Sequence, residues 1–413
     1  MVGQVNLSAL NSRNFRLYLA GNLFALNAMW MLRIIVGWLA WDMTGSASFV
    51  GLIAFVYFLP TIFFGPFFGV LIDRSDVRRA AILVQSLFLI AASGLWLVQH
   101  LEILGATHLL TYSLASGIIM SAHGPVRMSM APRLVASNDI PSAVNFVSLT
   151  YNVSRMTGPA IGGWAIAQIG TGPATIVTAF CYLPFLMALS LLRVRQAATR
   201  PSKPDFLGDL AEGASIAFGD AGIRAALALA AIASIFILGS LEILPAIADG
   251  VFDKGAAGLG LLTAASGLGA IVAGLGLVLL PSAFGRNRLP LAAAISLFGV
   301  ACIAGLGLTA SWPAAISLVA AMSAAAAASG IICQSVIQTR IDDGMRGRVM
   351  SMWASVAIGS SAMGAAILGV AVEFLGLGAT LTFSAIFAGL LLATGLIHHC
   401  WKSPPATRFG DFD

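Results

Sequence analysis

The chain has 413 residues, of which 59% are hydrophobic and only 9% are charged. A soluble globular domain carries about 25% charged residues, so this composition excludes that class and indicates an integral membrane protein. A transmembrane β-barrel is excluded too, because the apolar stretches run without polar alternation for the ~20 residues that a spanning helix needs. We therefore predict an all-α integral membrane protein.

Apolar runs between charged clusters and glycine or proline breaks predict twelve transmembrane helices. In chain order they cover residues 15–42, 47–72, 79–99, 106–128, 140–167, 173–193, 223–248, 256–281, 289–309, 313–338, 347–371 and 377–400. A weak internal repeat with a shift of 206 residues, which places Gly158 on Gly364, favours two pseudo-symmetric bundles of six helices.

The predicted domains are an N-terminal bundle at 1–193 and a C-terminal bundle at 223–413, joined by a cytoplasmic linker at 194–222. The second part of this linker is either an amphipathic helix on the membrane surface or plain solvated chain.

Basic residues predict the orientation of the chain in the membrane. With both termini in the cytoplasm, 19 of the 22 lysines and arginines fall in cytoplasmic loops or tails. Only Lys254 falls in an outer loop, and Arg33 and Arg155 fall inside spans. The net charge of +5 thus reflects cations kept beside the lipids of the inner leaflet, and it requires no nucleic acid partner.

Motifs of enzymes and metal sites are missing from the sequence. The four cysteines lie in or beside apolar runs without metal-ligand spacing, and there is no nucleophile motif and no phosphate-binding loop of the ATPase type. We expect no enzymatic activity, no metal, no cofactor and no direct use of ATP.

The segment GVLIDRSDVRR after the second span resembles the loop motif of the major facilitator superfamily, with Asp76 where that motif has glycine. The matching residues are Gly69, Asp73, Arg74 and either Arg78 or Arg79. The resemblance implies gating roles for Asp73, Arg74 and Arg78. Asp73 together with Arg127 on the fourth span would form a charge-assisted latch at the cytoplasmic side. The alternative is that the arginines only set topology and contact anionic lipid.

The segment SRMTGPAIGG in the fifth span resembles the antiporter motif of the same superfamily. Gly158, Pro159 and Gly163 match it, and Ser154 replaces its first glycine. The resemblance implies a bent, closely packed helix in which Gly158 and Pro159 help to seal the cavity. Ordinary packing of small residues is the alternative.

Three further segments resemble the drug:proton antiporter branch, which includes enterobactin exporters and macrolide efflux proteins. They are WLAWDMTGSASFVGLIAF, HGPVRMSMAPRLVASNDIPSAVN and RIDDGMRGRVMSM. This resemblance implies the twelve-helix fold in the inner membrane of a bacterium, a small-molecule substrate, protons and lipids as partners, and a monomer.

Three ionisable residues lie inside predicted spans: Arg33, Arg155 and Glu242. Each costs about 2.5–3.5 kcal/mol or more at the centre of a spanning helix, which makes it a functional candidate. The resemblance places their spans around a central cavity. We expect the arginines to bind the substrate and Glu242 to couple proton movement, the alternative being a structural ion pair between Glu242 and either arginine.

Polar residues on the same helices are further candidates for substrate binding. They are Asn152, Asn145, Asn22 and Gln334. Asn145, Asn152 and Arg155 recur at helical spacing and share one face, and Asn22 shares a face with Arg33.

We therefore predict a secondary transporter that exports a siderophore-like or drug-like molecule, anionic or oxygen-rich, by proton-coupled alternating access. One alternative is an importer or uniporter of an organic anion. A more distant one is a non-transporting membrane scaffold or sensor, which has no use for charges inside the membrane.

Overall fold

The computed structural model describes residues 7–192, 194, 215, 218–279, 288–341 and 345–402. The side chains of Pro66, Val70, Asp73, Val278, Ser351 and residues 346–348 and 395–402 lie outside this description. The described ranges form twelve long helices, two of them interrupted. They are α1 (Arg13–Thr44), α2 (Ala47–Asp73), α3 (Val77–His100), α4 (Ala106–Met130), α5 (Ile140–Ile169), α6 (Thr171–Leu191), α7 (Ala221–Glu242), α8 (Gly255–Leu279), α9 (Arg288–Leu308), α10 (Trp312–Gln338), α11 (Arg346–Leu375) and α12 (Leu377–Lys402).

The all-helical membrane fold predicted from the sequence is confirmed. Within the described residues, ten helices are long and apolar enough to cross a membrane. The two outside this set are α4 and α5, which carry the serines and one of the arginines of the central cavity described below. Their polarity reflects a position inside the bundle, where water and protein replace lipid as neighbours.

Two prolines interrupt helices that the apolar pattern alone shows as continuous. α6 breaks after Phe180, because Pro184 has no N–H to donate to the carbonyl four residues earlier and its ring clashes there. α7 contains a π-helical turn at Ser234–Leu238 and breaks after Glu242 ahead of Pro245. The break leaves the Glu242 carboxylate at the end of a helical segment, beside the cavity.

The helices pack within each half of the chain and meet at two crossings between the halves. α1 packs on α5 and α2 on α4, while α10 packs on α8 and α9. Between the halves, α2 packs on α11 and α5 on α8. The division at the 194–222 linker stays a prediction, because 195–214 lie outside the described residues.

Glycines allow the backbones to approach at both crossings. A Cβ atom on Gly163 of α5 would lie 2.5 Å from the Cα atom of Gly260 on α8. A Cβ atom on Gly51 of α2 would lie 2.2 Å from the carbonyl oxygen of Ala365 on α11. Lipid gives helices no hydrophobic reason to associate, so such close packing of small residues contributes to holding the halves together.

The bundle has two faces at the ends of its helices, the terminal face and the opposite face. The terminal face holds the starts of α1 and α5, where Ser12 Oγ donates to the Leu134 carbonyl at 2.7 Å. The opposite face holds the loop between α1 and α2 and the loop between α11 and α12. Gly163, Gly260, Gly51 and Ala365 lie in the parts of their helices nearer to the opposite face.

Candidate functional site

A cavity of about 350 Å³ lies between the two halves. Side chains from both halves line it, and they include all three ionisable residues predicted from the sequence: Arg33 on α1, Arg155 on α5 and Glu242 on α7. Helices far apart in sequence thus bring these three charges into one space.

Arg33 pairs with Glu242 across the cavity. Its Nη2 atom donates to Oε1 of Glu242. The guanidinium carbon also lies 4.5 Å from the ring centroid of Phe58, with Trp30 and Tyr57 at 5.5 Å and 5.6 Å. The two charged side chains are 24% and 16% exposed, so they reach the cavity while the rings shield them from bulk solvent.

Arg155 has no carboxylate partner in the part of the chain that the structure describes. Among the described residues, the ion pairs are those of Arg33 with Glu242, of Arg79 with Asp76 and of Arg340 with Asp220. The guanidinium of Arg155 instead lies 6.0 Å from the ring centroid of Trp30. The charged residues in the lining are the two cations Arg33 and Arg155 and the anion Glu242, so this described set leaves one positive charge uncompensated.

The predicted polar stripe of α5 lies between this cavity and the terminal face. Asn145 and Asn152 are exposed, and Asn152 donates to the carbonyl of Ser148 at 2.9 Å. Neither lines the cavity itself, but helical spacing puts both on the face of Arg155, which does. Since polar side chains avoid lipid, this face indicates an opening from the cavity towards the terminal face.

The structure does not bring the other two predicted binding residues to the cavity. Asn22 on α1 is buried, and its Nδ2 atom has no hydrogen-bond partner among the described residues. Gln334 on α10 is half-buried and is not part of the cavity lining. Their roles in substrate binding stay predictions.

Hydrogen bonds between the halves close the opposite face. Trp41 Nε1 at the end of α1 donates to Asp249 Oδ2 at 2.9 Å. Ser46 Oγ, which also caps α2, donates to Glu373 Oε1 of α11 at 2.6 Å. Together with the two glycine crossings, these contacts seal the cavity on this side.

Asn27 joins α1 to α5 through a network that sequence reasoning missed. Its Nδ2 atom donates to Ser154 Oγ at 3.1 Å, and its Oδ1 atom accepts from Thr157 Oγ1 at 2.7 Å. A Cβ atom on Gly158 would lie 2.6 Å from Cβ of Trp30. The serine that departs from the antiporter motif thus gains an interhelical hydrogen bond, and Gly158 permits the close approach.

The loop motif between α2 and α3 is held by local hydrogen bonds. Asp76 caps α3 and accepts from the backbone N–H groups of Arg78 and Arg79 at 2.9 Å and 3.2 Å. The Arg78 side chain donates to the carbonyls of Leu189, at 2.7 Å, and Ser190 at the end of α6. The negative end of the helix dipole stabilises a cation at this position.

The predicted latch between Asp73 and Arg127 is not tested by these contacts, because the Asp73 side chain lies outside the described residues. Arg74 is exposed. The guanidinium carbon of Arg127 lies 4.5 Å from the ring centroid of Tyr151 on α5. The gating roles of these residues therefore stay predictions.

Comparison with known proteins identifies the family. A family model described as transmembrane secretion effector matches residues 4–409. The chain belongs to this family of the major facilitator superfamily. The enterobactin exporter EntS of Escherichia coli K12 is 26% identical in an alignment 392 residues long that covers 89% of this chain and 86% of that exporter. EntS of Shigella dysenteriae serotype 1 is similar to the same extent.

Solved structures with a similar fold are also transporters. The nucleoside transporter NupG has a TM-score of 0.72 at 10% identity, over 94% of this chain and 100% of NupG. A bacterial homolog of the human lysosomal transporter Spinster, solved in an inward-facing and unoccupied conformation, has a TM-score of 0.68 at 13% identity, over 93% of this chain and 95% of that one. At such low identity the likeness shows the fold.

The family assignment confirms the coarse function predicted from the sequence. This multi-pass membrane protein is a secondary transporter of a small-molecule substrate, in a family of transporters that are not enzymes.

Proposed function

We propose that the transporter exports a siderophore-like or drug-like molecule, anionic or oxygen-rich, from the cytoplasm in exchange for protons. The observation that carries this proposal is the uncompensated guanidinium of Arg155 in the cavity, beside the pair of Arg33 and Glu242. A cation without a counter-charge inside a membrane protein is costly, and an anionic or oxygen-rich substrate supplies the missing partner.

Exchange of substrate for protons follows if both compete for the same group of charged side chains. When Glu242 is ionised it neutralises Arg33, and when it binds a proton Arg33 becomes available to an anion. Proton and substrate then favour different arrangements of the same halves, which couples their movements. Under this proposal Arg33 and Arg155 bind substrate, with Asn22, Asn145, Asn152 and Gln334 as further binding residues, and Glu242 is the coupling residue.

The direction of transport rests on orientation and on the relatives. If the basic loops lie in the cytoplasm, the terminal face is cytoplasmic, and the polar face of α5 favours a cavity that opens towards it. This is the state in which an exporter loads its substrate. Similarity to enterobactin exporters supports export, although it leaves the substrate of this chain open. Asp73, Arg74, Arg78, Arg127, Gly158 and Pro159 are proposed to act in gating.

The test is accumulation of radiolabelled siderophores and drugs in inverted membrane vesicles, with and without a proton gradient. Arg155→Gln is expected to lower accumulation by roughly 10- to 150-fold, because a hydrogen bond to a charged group contributes about 1.5–3 kcal/mol. Arg155→Lys should keep part of the activity, and Arg13→Gln, at an exposed arginine outside the cavity, should keep all of it. Full activity of Arg155→Gln at normal membrane levels would end the proposal.

Glu242→Gln separates the proposal from its main alternative. Gradient-driven accumulation in the wild type that is lost in Glu242→Gln is the result expected for a proton-coupled exporter. Accumulation that needs no gradient and survives this substitution would indicate a uniporter or importer of organic anions, which the same arginines would serve. Glu242 would then be a structural partner of Arg33.

A further inference from the structure

Part of the cavity is lined by aromatic and hydroxyl-bearing side chains of the first six helices, and it meets the charged part at Tyr57, whose ring centroid lies 5.6 Å from the guanidinium carbon of Arg33. We call this part the recess and define it by Tyr57 of α2, Phe88 of α3, Tyr112 and Ser113 of α4, and Tyr182 of α6, all of which line the cavity. α3 and α6 pack against each other, and α3 also packs on α4, within the N-terminal half. The recess is therefore a pocket of this half and contains no charged residue among those that define it.

Two hydroxyl groups in the recess lack hydrogen-bond partners. Ser113 and Tyr182 are each only 1% exposed, yet neither Ser113 Oγ nor Tyr182 Oη has a partner among the described residues. Leaving such a group unpaired costs about 1–3 kcal/mol, so a native structure rarely keeps one without a reason. A ligand that brings a hydroxyl group into the recess would offer these side chains a hydrogen-bond partner.

Aromatic rings form the walls of the recess. The rings of Phe88 and Tyr182 stack with their centroids 5.7 Å apart and their planes 5° from parallel. Tyr57 and Tyr112 add two more rings. Rings of this kind favour a planar ligand through edge-to-face or offset contacts, and their few rotatable bonds keep the pocket in shape.

We propose that the recess is a subsite for an uncharged, hydroxylated ring of the substrate. Ser113 and Tyr182 exchange hydrogen bonds with the substituent, and Phe88 holds the Tyr182 ring in place. An anionic group on the same substrate would stay at Arg155, and only this last statement rests on the proposed function.

The test uses four small probes that separate ring from charge: benzamide, 3-hydroxybenzamide, benzoate and 3-hydroxybenzoate. Their dissociation constants are measured by ligand-observed NMR on the purified full-length protein in nanodiscs. The hydroxyl preference is the ratio of the dissociation constants of the unsubstituted and the hydroxylated probe, measured once for the two amides and once for the two acids, and it reports on the recess. The acid-to-amide preference reports on Arg155.

In the wild type we expect the hydroxylated probe of each pair to bind about fivefold more tightly, the equivalent of one net hydrogen bond. Tyr182→Phe and Ser113→Ala should each reduce this preference and leave the acid-to-amide preference unchanged. Arg155→Gln should do the reverse. Ser296→Ala is the matched control, since Ser296 of α9 is also buried, has no hydrogen-bond partner among the residues that the structure describes, and lies outside the cavity lining.

Stability provides the second readout. Tyr182→Phe should leave the thermal unfolding midpoint unchanged or raise it, because it removes a buried hydroxyl that has no partner. The proposal is overturned if the hydroxylated amide shows no preference in the wild type, or if the preference survives both substitutions in the recess. A midpoint that falls clearly in Tyr182→Phe would also overturn it, since the hydroxyl would then have a structural role. Failure of the acid-to-amide preference alone would count against the proposed function and not against the recess.

Discussion

Alanine in place of Gly163 tests whether the crossing of α5 and α8 holds the opposite face closed. The new Cβ atom would lie 2.5 Å from Gly260 Cα and 2.7 Å from the carbonyl oxygen of Ala256. Ordinary van der Waals contact begins near 3.4 Å. Both close neighbours are backbone atoms that cannot rotate away, so the two helices must separate by about 1 Å.

The cost of this separation falls on one conformation. Overpacking a well-packed site costs about 1–3 kcal/mol, and the clash exists only where α5 and α8 touch. In the state open at the opposite face these segments are apart and the methyl group is tolerated. The ratio of the two states should therefore shift by about 5- to 150-fold towards opening at the opposite face.

The assay is a distance measurement by pulsed electron paramagnetic resonance across the opposite face. Spin labels are placed at Met43→Cys and Val251→Cys, two exposed positions, after the four native cysteines are replaced by serine. Gly163→Ala should enlarge the long-distance population. Gly94→Ala on α3 is the control, because a Cβ atom there meets nothing within 4 Å. If both variants gave the same distance distribution, the crossing would not be what closes the cavity.

Two further substitutions test contacts at the two faces. Trp41→Phe removes the indole N–H that donates to Asp249. The ratio of the open to the closed state at the opposite face should rise about fivefold, the equivalent of about 1 kcal/mol, in the same distance measurement. An unchanged distribution would show that this hydrogen bond does not help to close the opposite face. At the terminal face, burial alone would raise the pKa of Asp220, but the Ile223 N–H and Arg340 together lower it below its ordinary value. Because the folded-state pKa is depressed, the ionised carboxylate stabilises the fold above the unfolded-state pKa of about 3.9, and this contribution is lost as the pH falls through the folded-state pKa. The thermal midpoint of the wild type should thus exceed that of Asp220→Asn at pH 6 and approach it below pH 4, whereas a difference independent of pH would contradict the assignment.

Composition and local pattern were enough to predict the membrane class and the positions of the helices. In a bilayer each spanning segment must satisfy its backbone hydrogen bonds internally, so an apolar stretch of sufficient length has the helix as its only solution. The same physics identified Arg33, Arg155 and Glu242, because a charge within an apolar span is too costly to be incidental. Motif resemblance supplied the superfamily, which the family match confirms.

Only the tertiary structure decided how these charges are paired. Both arginines were possible partners for Glu242 in the sequence, and the contact forms with Arg33, 209 residues away, so that Arg155 has no ion pair within the described part of the chain. The contact of Trp41 with Asp249 spans 208 residues and has no local signature either. Helical periodicity tells which residues share a face, but it does not tell which helix that face meets. The contacts that close the opposite face and the pairing of the charges therefore depend on how the two halves pack against each other. The recess depends on how α2, α3, α4 and α6 pack around it. Neither arrangement can be read from the sequence of a single span.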